Sequence, residues 1–334
     1  MNAALVLFMA AAMLLAARPT SHAETRNANP RCWQLEGRPR TFPRYVVDFK
    51  ICLLACDDAP KANALANRLN AVPEDRGQDF PLPEGFRKTD RLVLRHHANS
   101  VNIPYAIDPP PIRTEAYPDT NEIHFFFDKR RLLGQIPYVS VRAQIEPACS
   151  VNPYEPLENR RYFLKETPAW PTGSSEVRDC LAQIPVNRAN ELTTLQSLLQ
   201  GLRSGSGIEQ GVEPKGERAT RHGVRQTLEK KSGNCWDFSD LFVTLCRALD
   251  LPCRQVAGWQ KTGGGHVWAE VYLTNIGWLQ VNPTTGKTIG ENHVPLFTTS
   301  DGNLSLIYRS FPVIREIEAE QAPAGDALKD AHQK

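Results

Sequence analysis

The most constraining feature of the sequence is an apolar repeat that begins just after a cysteine. Its members recur at the spacing of one helix face: Phe238, Leu241, Phe242, Leu245 and Leu249. This spacing predicts a buried helix that begins near Cys235, is capped by Ser232 or Asn234, and ends at Leu251-Pro252. Cys235 then lies in the first turn, where unpaired backbone amides and the helix dipole favour a thiolate.

Two predicted strands follow this helix and carry the polar residues that complement a thiol. His266 opens the alternating stretch HVWAEVYL, and Asn282 ends the next apolar run, directly before a proline. A thiolate, an imidazole base and a side chain that orients the imidazole are the groups used in acyl transfer. The sequence therefore predicts Cys235, His266 and Asn282 as catalytic residues, with the backbone N–H of Cys235 as one oxyanion donor.

Three motifs in this region resemble those of the transglutaminase-like superfamily. They are Gly233-Asn234-Cys235, Gly265-His266-Val267-Trp268, and the run Trp278-Leu279-Gln280-Val281-Asn282-Pro283-Thr284. The resemblance covers about residues 218–288, in the order that the family uses. One residue departs from the pattern, because the family's usual aspartate is Asn282 here. An amide oxygen can still fix the imidazole tautomer, although it stabilises an imidazolium less than a carboxylate does.

The resemblance implies an α+β fold of papain-like type, with the cysteine-bearing helix packed on an antiparallel sheet. It also implies an enzyme that acts on amide bonds through a thioester, as a peptidase or amidase or by protein cross-linking. The alternative is a catalytically inactive binding module of the same fold. Trp236 and Trp268 are further candidates as oxyanion or cleft residues, and the alternative for Trp236 is a packing role. The expected partner is a protein or peptide, cell-wall peptide included, and no cofactor or metal is expected.

The N-terminal residues indicate export. Residues 3–17 are small and apolar, a run too short for a comfortable membrane span, and Ser21 and Ala23 fit a cleavage site before Glu24. Residues 1–23 are therefore predicted to be a signal peptide and the mature protein to be a periplasmic or secreted monomer. An uncleaved anchor is the alternative, because no Lys or Arg precedes the apolar run.

Export bears on the eight cysteines, which would ordinarily pair in an oxidising compartment. No Cys-x-x-Cys motif and no zinc-type spacing occurs. Cys246 and Cys253 flank the end of the predicted helix and are expected to form a disulfide. Cys235 is expected to stay free.

The local composition of the sequence changes along the chain and predicts two domains. Residues 24–166 contain β-branched and aromatic runs between proline-rich loops, which predicts a mainly β domain with a last strand at Tyr162-Phe163-Leu164. A Pro, Gly and Ser cluster at 167–175 marks the boundary. Residues 176–310 then form the domain with the three motifs, its first helix capped by Ser175. Residues 315–334 are polar and are expected to be disordered or a frayed helix.

Two further observations exclude other functions. The formal net charge of +2 argues against a dedicated nucleic-acid binder, whose surface is usually strongly basic. His96 and His97 are adjacent and would face opposite sides of a strand, so a solvated surface is expected there and not a metal pair.

Overall fold

The computed structural model describes residues 44–56, 59–73, 80–97, 105–117, 122–145, 151–152, 157, 159–204, 206–211, 220–260, 264–289, 293–303 and 306–317. The predicted signal peptide, Cys32, Cys149 and all residues after 317 lie outside these ranges.

The described residues form five α-helices and seventeen strands. The helices are α1 Ala59–Asn70, α2 Ser175–Gln183, α3 Glu191–Ser204, α4 Val224–Lys230 and α5 Cys235–Ala248. The strands are β1 Arg44–Cys52, β2 Leu54–Ala55, β3 Arg87–Lys88, β4 Arg91–Arg95, β5 Tyr105–Asp108, β6 Arg113–Tyr117, β7 Glu122–Phe126, β8 Tyr138–Ile145, β9 Val151–Asn152, β10 Glu209–Gln210, β11 Ser232–Gly233, β12 Cys253–Gln260, β13 Gly264–Leu273, β14 Gly277–Asn282, β15 Lys287–Thr288, β16 His293–Thr299 and β17 Tyr308–Ile317.

The C-terminal half is built on an antiparallel sheet in the order β15-β14-β13-β12-β16, with β9 also paired to β14. Helix α5 packs across one face of this sheet, where Leu241 and Phe242 share a core with Ala269 and Val271 of β13. Because side chains alternate along a strand, those at the alternate positions of β13 point to the opposite face, and these are His266, Trp268, Glu270 and Tyr272. The predicted α+β class, with the cysteine-bearing helix on an antiparallel sheet, is confirmed.

Helices α2, α3 and α4 complete the core around α5. Helix α2 is capped by Ser174, whose side chain accepts the backbone N–H of Val177 at 3.3 Å. The expected cap, Ser175, is instead the first helical residue, because the extended backbone that a cap requires lies at Ser174.

The N-terminal half is mainly β, as predicted. Strands β17-β1-β8-β5 form one antiparallel sheet, and β4-β7-β6 form another. The expected strand at Tyr162-Phe163-Leu164 is wrong. Residues Arg160–Phe163 form a short 3-10 helix, because the Asn159 side chain accepts the backbone N–H of Tyr162 and caps the turn.

The last described strand returns to the N-terminal sheet. Strand β17 pairs with β1 from Arg44↔Ile317 to Ile51↔Tyr308. Residues 315–334 were expected to be disordered or a frayed helix, and for residues 315–317 this expectation is wrong because they extend a paired strand. Pro312 is tolerated there, since β17 is an edge strand and needs no ladder hydrogen bond on its outer side.

The two halves share a core at one edge of the C-terminal sheet. Val294, Leu296 and Phe297 of β16 pack among apolar residues of β1 and β8. The backbone N–H of His97 donates to the carbonyl of Leu296 at 3.1 Å. The N-terminal strands therefore support the sheet that carries His266. None of the described helices has the length and apolar character needed to cross a membrane.

Candidate active site

Cys235 is the first residue of α5, and its position is set by a capping box. The Asn234 side chain accepts the backbone N–H of Trp236 at 2.9 Å, and Asp237 accepts that of Asn234 at 3.0 Å. Of the two predicted caps, Asn234 is the one the structure contains. The box holds Cys235 in the first helical turn, where the helix dipole favours an anionic sulfur.

Asp237 also holds the segment that leads to this helix. Its Oδ1 accepts the backbone N–H groups of His222 at 2.7 Å and Gly223 at 3.1 Å. Burial raises the pKa of Asp237, and these backbone hydrogen bonds act in the opposite direction. A Cβ at Gly233 would lie 2.7 Å from the Cβ of Asp237, which explains why glycine stands two residues before the cysteine.

His266 and Asn282 are brought together by neighbouring strands. Ala269 pairs with Val281, so Asn282 lies across from Trp268 and on the same sheet face as His266. The two side chains hydrogen-bond each other. The Asn282 side-chain oxygen also accepts the backbone N–H of Thr284 at 3.1 Å, and its carbonyl accepts that of Gly286 at 2.8 Å. These contacts hold the amide that faces the imidazole.

Cys235 packs against β13 at Val267, the residue that follows His266. The cysteine packs with Trp236, Val267 and Ala257 in a small apolar cluster. One turn along the helix, the Ser239 hydroxyl donates to the carbonyl of Trp268 at 2.9 Å. Helix and strand are thus held together close to the thiol.

The electrostatics of His266 suit a base. Burial lowers the pKa of its ring to about 4, against the opposing effect of the Asn282 hydrogen bond and together with a further lowering by His293. Its Nε2 is buried and has no hydrogen-bond partner among the described residues. At neutral pH the ring is therefore uncharged and has a nitrogen available to accept a proton.

The two predicted tryptophans differ in their surroundings. Trp268 is fully buried, stacks near His266 and donates its indole N–H to Gln280 at 3.0 Å. That N–H is thus already engaged. Trp236 is buried beside Cys235, with the Arg221 guanidinium 5.4 Å from its ring centroid. Their expected roles at an oxyanion or in a cleft stay predictions.

A buried ion pair beneath this helix was not identified from the sequence. Asp240 accepts two hydrogen bonds from Arg221, each of 2.6 Å, and one each from Trp170 and Gln255, both of 2.9 Å. An aspartate between apolar residues of a helix predicted to be buried is the signal that could have indicated it, since buried carboxylates are almost always paired.

The expectation of a solvated surface at His97 is wrong. The side chain is fully buried, and its Nε2 lies 2.6 Å from Glu270, which also accepts a 2.6 Å hydrogen bond from Arg254. Burial opposes ionisation of Glu270, but the charge of Arg254 and the contact with His97 lower its pKa to about 2. The physical reason is the fold, which places the end of β4 against the sheet face that carries Glu270.

The expected disulfide between Cys246 and Cys253 is absent. Both are buried free thiols, and they contact each other through a hydrogen bond. Burial, followed by the neighbouring Cys253, raises the pKa of Cys246 well above its ordinary value. The helix end and turn bring the two sulfurs together as expected, but as thiols. Within the described ranges, no group of three or more His, Cys, Asp or Glu side chains could hold a metal ion.

Comparison with known proteins finds a family similarity over the part of the chain that contains this geometry. Residues 182–283 match the model of the Transglutaminase-like superfamily, a range that includes α5 and the strands with His266 and Asn282. The similarity to this superfamily is confined to that core, which is less than half of the chain.

Individual relatives are more distant. A 62-residue stretch, 18% of this chain, is 37% identical to the Peptide-N(4)-(N-acetyl-beta-glucosaminyl)asparagine amidase of Drosophila melanogaster and spans 9% of that enzyme. A proposed cysteine protease from Cytophaga hutchinsonii aligns over 85% of this chain and 94% of its own, at 12% identity and a TM-score of 0.46. The periplasmic domain of TgpA from Pseudomonas aeruginosa aligns over 75% and 90%, at 14% identity and a TM-score of 0.34.

Proposed function

We propose that this protein is an exported cysteine hydrolase that cleaves amide bonds in peptides or proteins through a thioester. The observation that carries the proposal is the buried imidazole of His266, which is neutral and hydrogen-bonded to Asn282. The next residue of β13, Val267, packs against Cys235 at the start of a helix. These are the nucleophile, base and orienting group that acyl transfer requires. The named activity of the amidase relative supports an amide as the substrate class.

In this mechanism the sulfur of Cys235 attacks the amide carbonyl while His266 accepts the thiol proton. Val267 and His266 are adjacent on β13 and point to opposite faces, so the proposed step requires the Cys235 thiol to reach the ring around the start of that strand. The imidazolium then returns the proton to the leaving amine as the carbon–nitrogen bond breaks, and a thioester remains. Water attacks the thioester with His266 as base, which releases the carboxylic acid and the thiol.

The oxyanion formed in each attack needs donors that are already in place. The backbone N–H of Cys235 is the proposed donor, because it lies at the start of α5 where the helix dipole is positive. Hydrolysis is favoured over cross-linking because water is abundant. The apolar run at residues 3–17 and the small residues before Glu24 support action in the periplasm or outside the cell.

The test is a mass-spectrometric comparison of exported proteins and peptides from cells that carry wild-type protein or Cys235→Ala. New termini or deamidated side chains that appear only with wild type support hydrolysis, whereas new isopeptide links indicate transamidation. Identical profiles, together with peptide binding that the substitution does not weaken, would support an inactive binding module. The same spectra give the first residue of the exported protein, which is expected near Glu24.

The pH dependence of the reaction follows from His266. Because burial lowers its pKa to about 4, the ring stays a base well below pH 6.5. We expect kcat/KM to remain high as the pH falls to about 5 and to decline only near pH 4, where His266 becomes protonated. A pH profile of kcat/KM on a substrate found by the comparison measures this. An acid limb at pH 6 to 7 would contradict it.

Substitutions of Asn282 test whether the asparagine that replaces the family's usual aspartate orients His266. Replacement by alanine removes the hydrogen bond to His266, so we expect Asn282→Ala to lower kcat by ~10²-fold. Asn282→Asp is expected to retain or raise kcat, because a carboxylate accepts from the same ring and also stabilises the imidazolium. Kinetics of both variants measure the effects. An inactive aspartate variant beside an unaffected alanine variant would place Asn282 outside the site.

A further inference from the structure

A second histidine lies beside His266, outside the three motifs. His293 is the first residue of β16 and pairs with Gln260 of β12. Its ring centroid is 5.6 Å from that of His266 and 5.5 Å from that of Trp268. The rings of His266 and Trp268 are stacked with centroids 6.1 Å apart and an interplanar angle of 24°. The three rings thus form a closed triangle.

The triangle restricts the ring of His266. Trp268 is itself held, since it is fully buried and its indole N–H donates to Gln280. Asn282 holds one ring nitrogen of His266 through a hydrogen bond, while His293 packs against the ring from a different strand. Two other strands therefore contribute to the orientation of this imidazole. One is β14, which is next to β13, and the other is the edge strand β16, which lies beyond β12 on the other side.

His293 also acts on the charge of His266. After burial, and against the effect of Asn282, the charge of His293 lowers the pKa of His266. His266 is a titratable group in ring contact with His293, and the neighbours Trp268 and Gln260 carry no charge. This interaction favours the uncharged form of the His266 ring.

We infer that His293 is a positioning residue of the site, which holds the imidazole of His266 in its orientation and in its base form. That this positioning affects catalysis rests on the proposed function. The ring contacts and the charge coupling stand on the structure independently of it.

The first test needs no substrate. The ring ¹⁵N signals of histidine-labelled protein are titrated by NMR, and the His266 signals are assigned by their loss in His266→Gln. His293→Phe keeps an aromatic ring but removes the titratable group, so we expect the titration midpoint of His266 to rise by about half a pH unit or more. His124→Phe, a control in the N-terminal sheet, should leave it unchanged. An unchanged midpoint in His293→Phe would overturn the inference.

The second test measures the orientation of His266 through the reactivity of Cys235. The alkylation rate of Cys235 by iodoacetamide at pH 7 is followed by peptide mass spectrometry. His293→Phe is expected to stay within about twofold of wild type, whereas His293→Ala should react ~10-fold more slowly because the triangle is open. An alanine variant that is folded and reacts like wild type would overturn the positioning role.

These tests separate the inference from the proposed function. A wild-type Cys235 that reacts only at background rate would refute the proposed hydrolase, while the NMR shift would still report the coupling of the two histidines. A reactive Cys235 with no response to either His293 substitution would refute the inference alone. The titration of His293→Phe decides the inference even where His293→Ala does not fold.

Discussion

Cys235→Ala is expected to abolish hydrolysis, with kcat lower by about 10⁴-fold or more, while the protein stays folded. In the proposed mechanism the sulfur forms the bond to the substrate carbon, and alanine has no group that can replace it. The helix start does not depend on the thiol, because the capping box uses Asn234 and Asp237. The measurement is turnover of a substrate identified in the exported fraction, together with the circular dichroism of the variant.

The matched control is Cys56→Ala, which makes the same substitution at a cysteine of the same partial exposure in the N-terminal half. It should retain wild-type kcat. His266→Ala should resemble Cys235→Ala, since the nucleophile and the base act as one unit. A Cys235→Ala protein that turns over at a rate near that of wild type would show that the nucleophile lies elsewhere.

The second large effect is expected on stability. Asp240→Asn should lower the free energy of unfolding by about 3–5 kcal/mol, because it leaves the buried charge of Arg221 without its counter-ion. The asparagine has one acceptor oxygen in place of two, so its N–H group must face at least one of the N–H donors of Arg221, Trp170 and Gln255. Urea denaturation of wild type and variant measures the difference.

Asp128→Asn provides the control for this prediction. Asp128 also pairs with an arginine, but its partner Arg130 is 89% exposed and water can replace the contact. Its side-chain oxygen caps a short 3-10 helix, and asparagine can do the same. The urea midpoint of this variant should match that of wild type. Equal losses in the two variants would show that the Asp240 network contributes no more than a surface pair.

The parts of this protein that the sequence predicted correctly depend on local pattern. The spacing of Phe238, Leu241 and Phe242 indicates a helix, and the asparagine before Cys235 supplies its cap, because helical periodicity and capping act within a few residues. The alternation after His266 and the proline after Asn282 likewise place both residues on strands. The strand at Tyr162 was wrong because a competing local signal, the side chain of Asn159, capped a turn instead.

The tertiary structure decided what depends on distant partners. His97 and Glu270 are 173 residues apart, and β17 joins a strand more than 250 positions earlier. The periodicity of apolar residues contains no information about pairings between distant segments. The buried network of His97, Glu270 and Arg254 therefore could not be identified from the sequence. His293 likewise lies beside His266 only because β16 pairs with β12. The sequence by itself determined the groups that perform the proposed chemistry. Only the packing of remote strands determined the burial and neighbouring charges that keep His266 a base, because desolvation and Coulomb interactions depend on distance in space.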